Sequence, residues 1–201
     1  MYIKEEISQE IVVEKSRFIC CMKHVKDEQA FREYLSSIRK KYYDASHVCG
    51  AFICGNTKRS NDDGEPAGTA GAPILNVLEK NKLNETCAIV VRYFGGIKLG
   101  AGGLIRAYGN AVSQTLHNAI LAEDFEYPLY RLCLSYETAN KVEYYLRNST
   151  ILIDSEYSEH ICYIFALDDE HKIDKILEFT KGIKPVFCGV KTIEKVIELN
   201  K

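Results

Sequence analysis

Several features that would settle a function class are missing from this sequence. Charge of one sign is one of them. There are 26 basic and 28 acidic residues, a net charge of −2. No global positive field draws the chain onto nucleic acid, so any such contact has to come from a local patch. Long apolar runs are also missing. CAIVV at 87–91 is far too short to cross a bilayer. The acidic opening MYIKEEISQE does not read as a secretory leader. The expectation is a cytoplasmic protein with no membrane partner. The eight cysteines contain no Cys-x-x-Cys pair. Most sit in apolar, strand-like segments and read as buried free thiols in a reducing compartment. Cys49 and Cys54 are an odd number of residues apart on a predicted strand, so they face opposite ways and share no metal. His47 and Cys49 do share a face, but two ligands make no site. No nucleophile elbow, triad spacing or internal repeat is present, and His24, His117, His160 and His171 stand isolated.

The chain does have the means to fold. Its 201 residues are 46% hydrophobic and 27% charged, enough to bury a core. Two strands are expected in 10–25, broken at Lys15-Ser16. Asp27 then caps a helix carrying Phe31, Tyr34, Leu35 and Ile38 at helical spacing. HVCGAFIC (47–54) reads as a strand and 55–72 as a long polar loop. Pro73 opens a helix to about Asn81, and TCAIVVRYF (86–94) is a buried strand. A helix from near Gly103 carries the stripe Leu104, Tyr108, Val112, Leu116 and Ile120. The pattern then changes. Strands at 128–136, 150–157, 160–167 and 185–199 and helices at 138–148 and 170–181 give the order βαββαβ, which is ferredoxin-like. The reading is an α+β protein of two domains, 1–126 and 127–201.

Two stretches point to chemistry. VVRYFGGIKLGAGGLIRAYG (90–109) holds six of the thirteen glycines, three cations and no acid. A glycine loop between a strand and a helix turns backbone N–H groups and the positive helix end towards one spot, which favours an anion. It is no Walker A loop, since no Gly-Lys-Ser/Thr closes it. It is no dinucleotide fingerprint either, since Ile105 stands where the third glycine belongs. In the anion reading, Arg92, Lys98 and Arg106 contact phosphates and Tyr93, Phe94 and Tyr108 offer stacking faces. Gly95, Gly96, Gly100, Gly102 and Gly103 let the backbone approach. Gly102 and Gly103 are expected at positive φ, where valine would damage both fold and binding. In the plainer reading the glycines only serve turns and close packing. The second stretch, SNDDGEPAGTAG (60–71), gathers Asp62, Asp63 and Glu65. These acids can hold Mg²⁺, with Asp63 or Glu65 as catalytic candidates. They can instead make turns, or pair with the cations of the glycine stretch. No other metal or cofactor is expected.

DDGEPAGTAGAPIL followed by VVRYFGGIKLGAGGLIRAYGNA resembles the signature of the IMPACT family, whose bacterial members are of YigZ type. KSRFIC and DASHVCGAFI fit its N-terminal domain, and NKVEYYLRN and ILIDSEYSE fit the C-terminal domain of its bacterial branch more weakly. The resemblance implies an N-terminal domain similar to domain 2 of ribosomal protein S5, an α/β sandwich, and a ferredoxin-like C-terminal domain. The pair is similar to two ribosome-contacting domains of elongation factor G. Eukaryotic members regulate translation during amino-acid starvation by competing for an activator of the initiation-factor-2 kinase, a partner that a bacterium lacks. The implied function is a translation-associated regulatory protein contacting RNA, the ribosome or nucleotide phosphates through a basic, glycine-rich groove. The alternatives are an enzyme acting on a phosphorylated small molecule or nucleotide, and a pure protein-interaction module with a protein partner. Sequence-specific DNA binding is not expected. An open groove suits a polymer and an enclosed pocket a small molecule.

Overall fold

The computed structural model describes residues 1–197. The chain forms two compact units. One is Met1–Glu123 together with Val196 and Ile197, and the other is Asp124–Lys195. The division therefore falls three residues before the one read from sequence.

The first unit comprises β1 (Tyr2–Ile3), β2 (Ile7–Val13), β3 (Ser16–His24), α1 (Glu28–Lys41), β4 (His47–Cys54), β5 (Thr57–Asn61), α2 (Gly71–Lys80), β6 (Thr86–Tyr93) and α3 (Gly100–His117). Five strands make an antiparallel sheet in the order β2-β3-β6-β4-β5. Its central strands are apolar on both faces because both faces are covered. Phe18, Cys20, Met22, Ala88 and Val90 pack with Leu104, Tyr108 and Val112 of α3 and Ile74 and Leu78 of α2. Ile19, Cys21, Cys87, Ile89 and Val91 alternate with them and pack with Phe31, Tyr34, Leu35 and Ile38 of α1. Asp27 caps α1, accepting from Ala30 N at 2.7 Å. Glu14 and Lys15 both take positive φ (46° and 62°) and close the β2–β3 hairpin between the paired Val13 and Ser16.

Three local expectations change. The 55–72 stretch is not all loop, since Thr57–Asn61 forms the edge strand β5. TKRSN is exposed throughout, so it carries no alternating signal. The last helix of this unit begins at Gly100 rather than near Gly103. Ile120 lies beyond that helix and is 45% exposed, so the apolar stripe ends at Leu116.

The second unit follows along β7 (Leu121–Leu134), whose first residues still pair with β1. Then come α4 (Tyr136–Ser149), β8 (Ile151–Tyr157), β9 (Ile161–Ala166), α5 (Lys172–Thr180) and β10 (Val186–Ile197). The last two residues of the predicted final strand, 198–199, lie outside the described residues. The sheet order β10-β7-β9-β8 with two helices is ferredoxin-like. Its core joins Leu132, Leu134, Tyr163 and Phe165 to Val142 and Leu146 of α4 and Ile176 of α5.

The reading of eight buried free thiols is corrected. Cys133 and Cys162 form a disulfide, because they are directly opposed in the β7–β9 register with Cα atoms 4.0 Å apart. Their separation of 29 residues carries no local signal of this. Of the other cysteines, Cys20, Cys21, Cys49 and Cys87 are buried, Cys54 is half-buried and Cys188 is exposed. Among the described residues no helix is long and apolar enough to cross a membrane.

Candidate anion-binding site

The alternation along β6 that buries Ala88 and Val90 under α3 carries Arg92 inward on the same face. Arg92 is 5% exposed, a position that demands a counter-charge. The counter-charge comes from the acidic loop. Glu65 Oε1 accepts from Arg92 Nη1 at 2.6 Å and from the Tyr108 hydroxyl at 2.7 Å. Glu65 Oε2 lies 3.9 Å from His47 Nε2. The guanidinium sits 5.5 Å from the ring centres of both Phe18 and Phe94. Its Nε, also buried, has no hydrogen-bond partner among the described residues. Cys49 Sγ approaches the Tyr108 hydroxyl at 3.4 Å and Asp62 O at 3.0 Å. Burial pushes the Cys49 thiol up to about 12, so it is not a thiolate near neutral pH. Burial, with Cys49 and Glu65 beside it, pushes the Tyr108 phenol up as well.

The other two acids are also engaged. Asp62 accepts from three backbone N–H groups, Gly68 at 2.8 Å, Ala70 at 3.0 Å and Gly71 at 2.8 Å, and so ties the loop to the start of α2. Burial pushes the carboxyl's pKa up, but these three donors outweigh that and hold it below its usual value. Asp63 takes Arg39 at 2.6 Å on one oxygen and Val48 N at 2.7 Å on the other. So the catalytic candidates Asp63 and Glu65 both make ion pairs in the fold, and Glu65 realises the pairing of the acidic loop with a cation of the glycine stretch. Among the described residues no three His, Cys, Asp or Glu side chains cluster in a way that would hold a metal ion.

Beyond β6 the glycine stretch divides by role. Gly95 packs against the β2–β3 turn, where a Cβ would stand 2.1 Å from the Lys15 carbonyl group. Gly96 and Gly100 take positive φ, 86° and 68°. Gly102 and Gly103 do not, contrary to expectation: both belong to the first turn of α3 and are helical. The helix starts without a side-chain cap and has no acid in its first turn, so its N–H groups and positive end are left to the surroundings. Lys98 and Arg106 are exposed and have no ion-pair partner among the described residues. Of the three aromatic candidates only Phe94 is offered, at 47% exposure. Tyr108 is fully buried, and Tyr93 donates to Asp44 at 2.7 Å with Arg17 over its ring.

Two depressions flank this helix end and share Lys98 and Leu99. The larger, about 830 Å³, runs along α3 past Ile97, Gly103, Ile105, Arg106 and Asn110. The smaller, about 270 Å³, lies between Glu65-Pro66, Arg92, Phe94 and the first turn of α3, with Leu99, Gly100, Ala101 and Leu104 in its wall. Pro66, Leu99 and Ala101 were not foreseen as wall residues. For Leu99 and Ala101 the signal was the true helix start at Gly100, which the glycines conceal because they lack helix propensity, whereas Pro66 reaches the wall only through the folding of the acidic loop.

The Impact N-terminal domain family matches residues 14–116. YvyE of Bacillus subtilis (strain 168), an IMPACT family member, is 46% identical over 203 residues, covering 97% of this chain and 94% of its own length. YigZ of Escherichia coli (strain K12), another member, is 35% identical over 179 residues, covering 85% and 88% respectively. A crystal structure described as that of a hypothetical protein matches all of this chain and 97% of its own, at 29% identity and a TM-score of 0.60.

Proposed function

The chain belongs to the IMPACT family, and on that footing we propose that it serves translation-linked regulation by holding RNA phosphates on the basic, glycine-lined end of α3. The translation theme comes from the family resemblance. The phosphate chemistry rests on one observation: a long helix starts without a cap or acid between two exposed cations, Lys98 and Arg106, that have no ion-pair partner among the described residues. Helix ends of this kind favour negative charge, and each cation adds a counterion-releasing contact. The larger depression runs along the helix rather than closing over, which suits a polymer. Catalysis is the weaker reading, because Asp63 and Glu65 are already tied into ion pairs and Cys49 and Tyr108 hold their protons.

The test is fluorescence anisotropy with labelled single-stranded RNA over a salt series. Native protein is expected to bind, with affinity falling as salt rises. Lys98→Ala and Arg106→Ala should each weaken binding and lower the salt slope by about one unit. Both should stay folded, because an exposed charge changes stability by no more than about 0.5 kcal/mol. A folded double variant that binds RNA as the native protein does, at every salt concentration, would overturn the proposal.

A further inference from the structure

We propose that the smaller depression is a site for one phosphomonoester carrying a planar ring: a nucleoside monophosphate, or the 5′-phosphorylated terminal nucleotide of an RNA. As a recognition element for RNA ends this rests on the phosphate-binding reading above, whereas its affinity for a free nucleotide does not.

Two independent observations meet at this cavity. The first is the uncapped start of α3, whose residues Gly100 and Ala101 form part of the wall. The second is Arg92, which lines the cavity, is only 5% exposed, and has a buried Nε donor with no partner among the described residues. A buried donor left unpaired is costly and calls for a reason. The Arg92 charge is offset by Glu65, yet its donor capacity is not spent, since Glu65 engages only Nη1. Glu65 brings little repulsion for an anion, because its Oε1 accepts from both Arg92 and Tyr108. Lys98 and the helix end then leave the cavity with positive character.

The remaining wall selects the rest of the ligand. Phe94 is half exposed at the mouth, and Pro66, Leu99 and Leu104 are apolar. A phosphate on the helix end with a flat ring against Phe94 satisfies both halves. Size sets the limit. At about 270 Å³ the cavity lies near the lower end of small-molecule sites and has room for one nucleotide, not a chain. Charge favours a terminal phosphate over an internal one. A monoester carries between one and two negative charges near neutral pH, while a backbone diester carries one and is flanked by sugars on both sides.

The experiment uses the full chain and two kinds of probe. Calorimetric titration compares adenosine 5′-monophosphate with adenosine. Anisotropy compares two RNA oligomers of one sequence, one ending in a 5′-phosphate and the other in a 5′-hydroxyl. The expected result is at least tenfold tighter binding of the phosphorylated member of each pair. Ala101→Glu places a carboxylate in the first turn, which a helix start tolerates well, so the melting temperature should hold. Binding of the monophosphate should fall at least tenfold, and Phe94→Ala should produce a similar loss. If adenosine 5′-monophosphate binds no better than adenosine and both RNA ends bind alike, the cavity proposal is overturned while the RNA reading stands. If the monophosphate binds and no RNA does, the RNA reading falls and the free nucleotide is the ligand. If the monophosphate binds equally to both folded variants, it binds elsewhere and the cavity proposal is overturned.

Discussion

Arg92 and Glu65 are a buried ion pair, and removing one partner strands the other in the core. Arg92→Met alone should lower stability by about 3–5 kcal/mol, because it leaves the Glu65 carboxylate unpaired. The double replacement Arg92→Met, Glu65→Leu should recover most of that loss, since apolar residues can substitute for a buried pair at little cost. Urea unfolding of the three proteins checks this; equal losses in the single and double variants would mean that the pair does not set the cost. The glycines separate on the same scale. Gly100→Ala should cost about 1–2 kcal/mol, because φ there is 68°. Gly102→Ala should stabilise by up to about 1 kcal/mol, because a Cβ meets only the far end of Arg106 at 3.6 Å. The expectation that Gly102 needs positive φ would predict a loss instead, so the sign of this one measurement decides between them.

The stretch from Asp62 to α2 is held by a carboxyl group that accepts three backbone N–H bonds, which are strongest when it is ionised. Its pKa is depressed in the fold. The sign follows: the contribution is present above the ordinary carboxylate value and is lost as pH falls through the lowered one. Stability should therefore drop below about pH 4, the region of an unperturbed Asp. Asp62→Asn should be less stable at pH 7 and show a shallower decline towards pH 3 in thermal melts. An unchanged acid slope would show that other carboxylates carry the effect. The element was only partly visible beforehand. Asp-Gly marked a turn, but nothing local showed that Asp62 reaches forward to Gly71 or that Thr57–Asn61 pairs with β4.

The two units have separate cores, so calorimetry should resolve two unfolding transitions. The disulfide lies in the second unit and closes a loop of 29 residues. Reduction, or Cys133→Ala, should destabilise that unit by about 2–4 kcal/mol and shift its transition alone. A reductant that leaves both transitions in place would restore the free-thiol reading. Proteolysis belongs to this scale as well. The connection at 122–128 lies within β7 rather than in a loop, so the exposed turn from Pro66 to Gly68 should be nicked earlier. First cleavage at 122–128 would show that β7 frays there.

What the sequence determined by itself was the set of elements whose cause is local. Asp27 capping, the spacing of Phe31, Tyr34, Leu35 and Ile38, and the apolar runs of β4 and β6 each act over one or two turns, so α1 and the central strands were legible. The βαββαβ order of the second half was legible for the same reason. The composition of the glycine stretch also marked the segment proposed here as the anion site. Only the tertiary structure decided how those residues are spent. Strand alternation could say that Arg92 faces one side, but not that Glu65, 27 residues earlier, would meet it there. It could place Cys133 on a strand, but not bring Cys162 opposite it. The first depends on a loop folding over a distant strand and the second on the register between two strands, and neither is set by any neighbour in sequence.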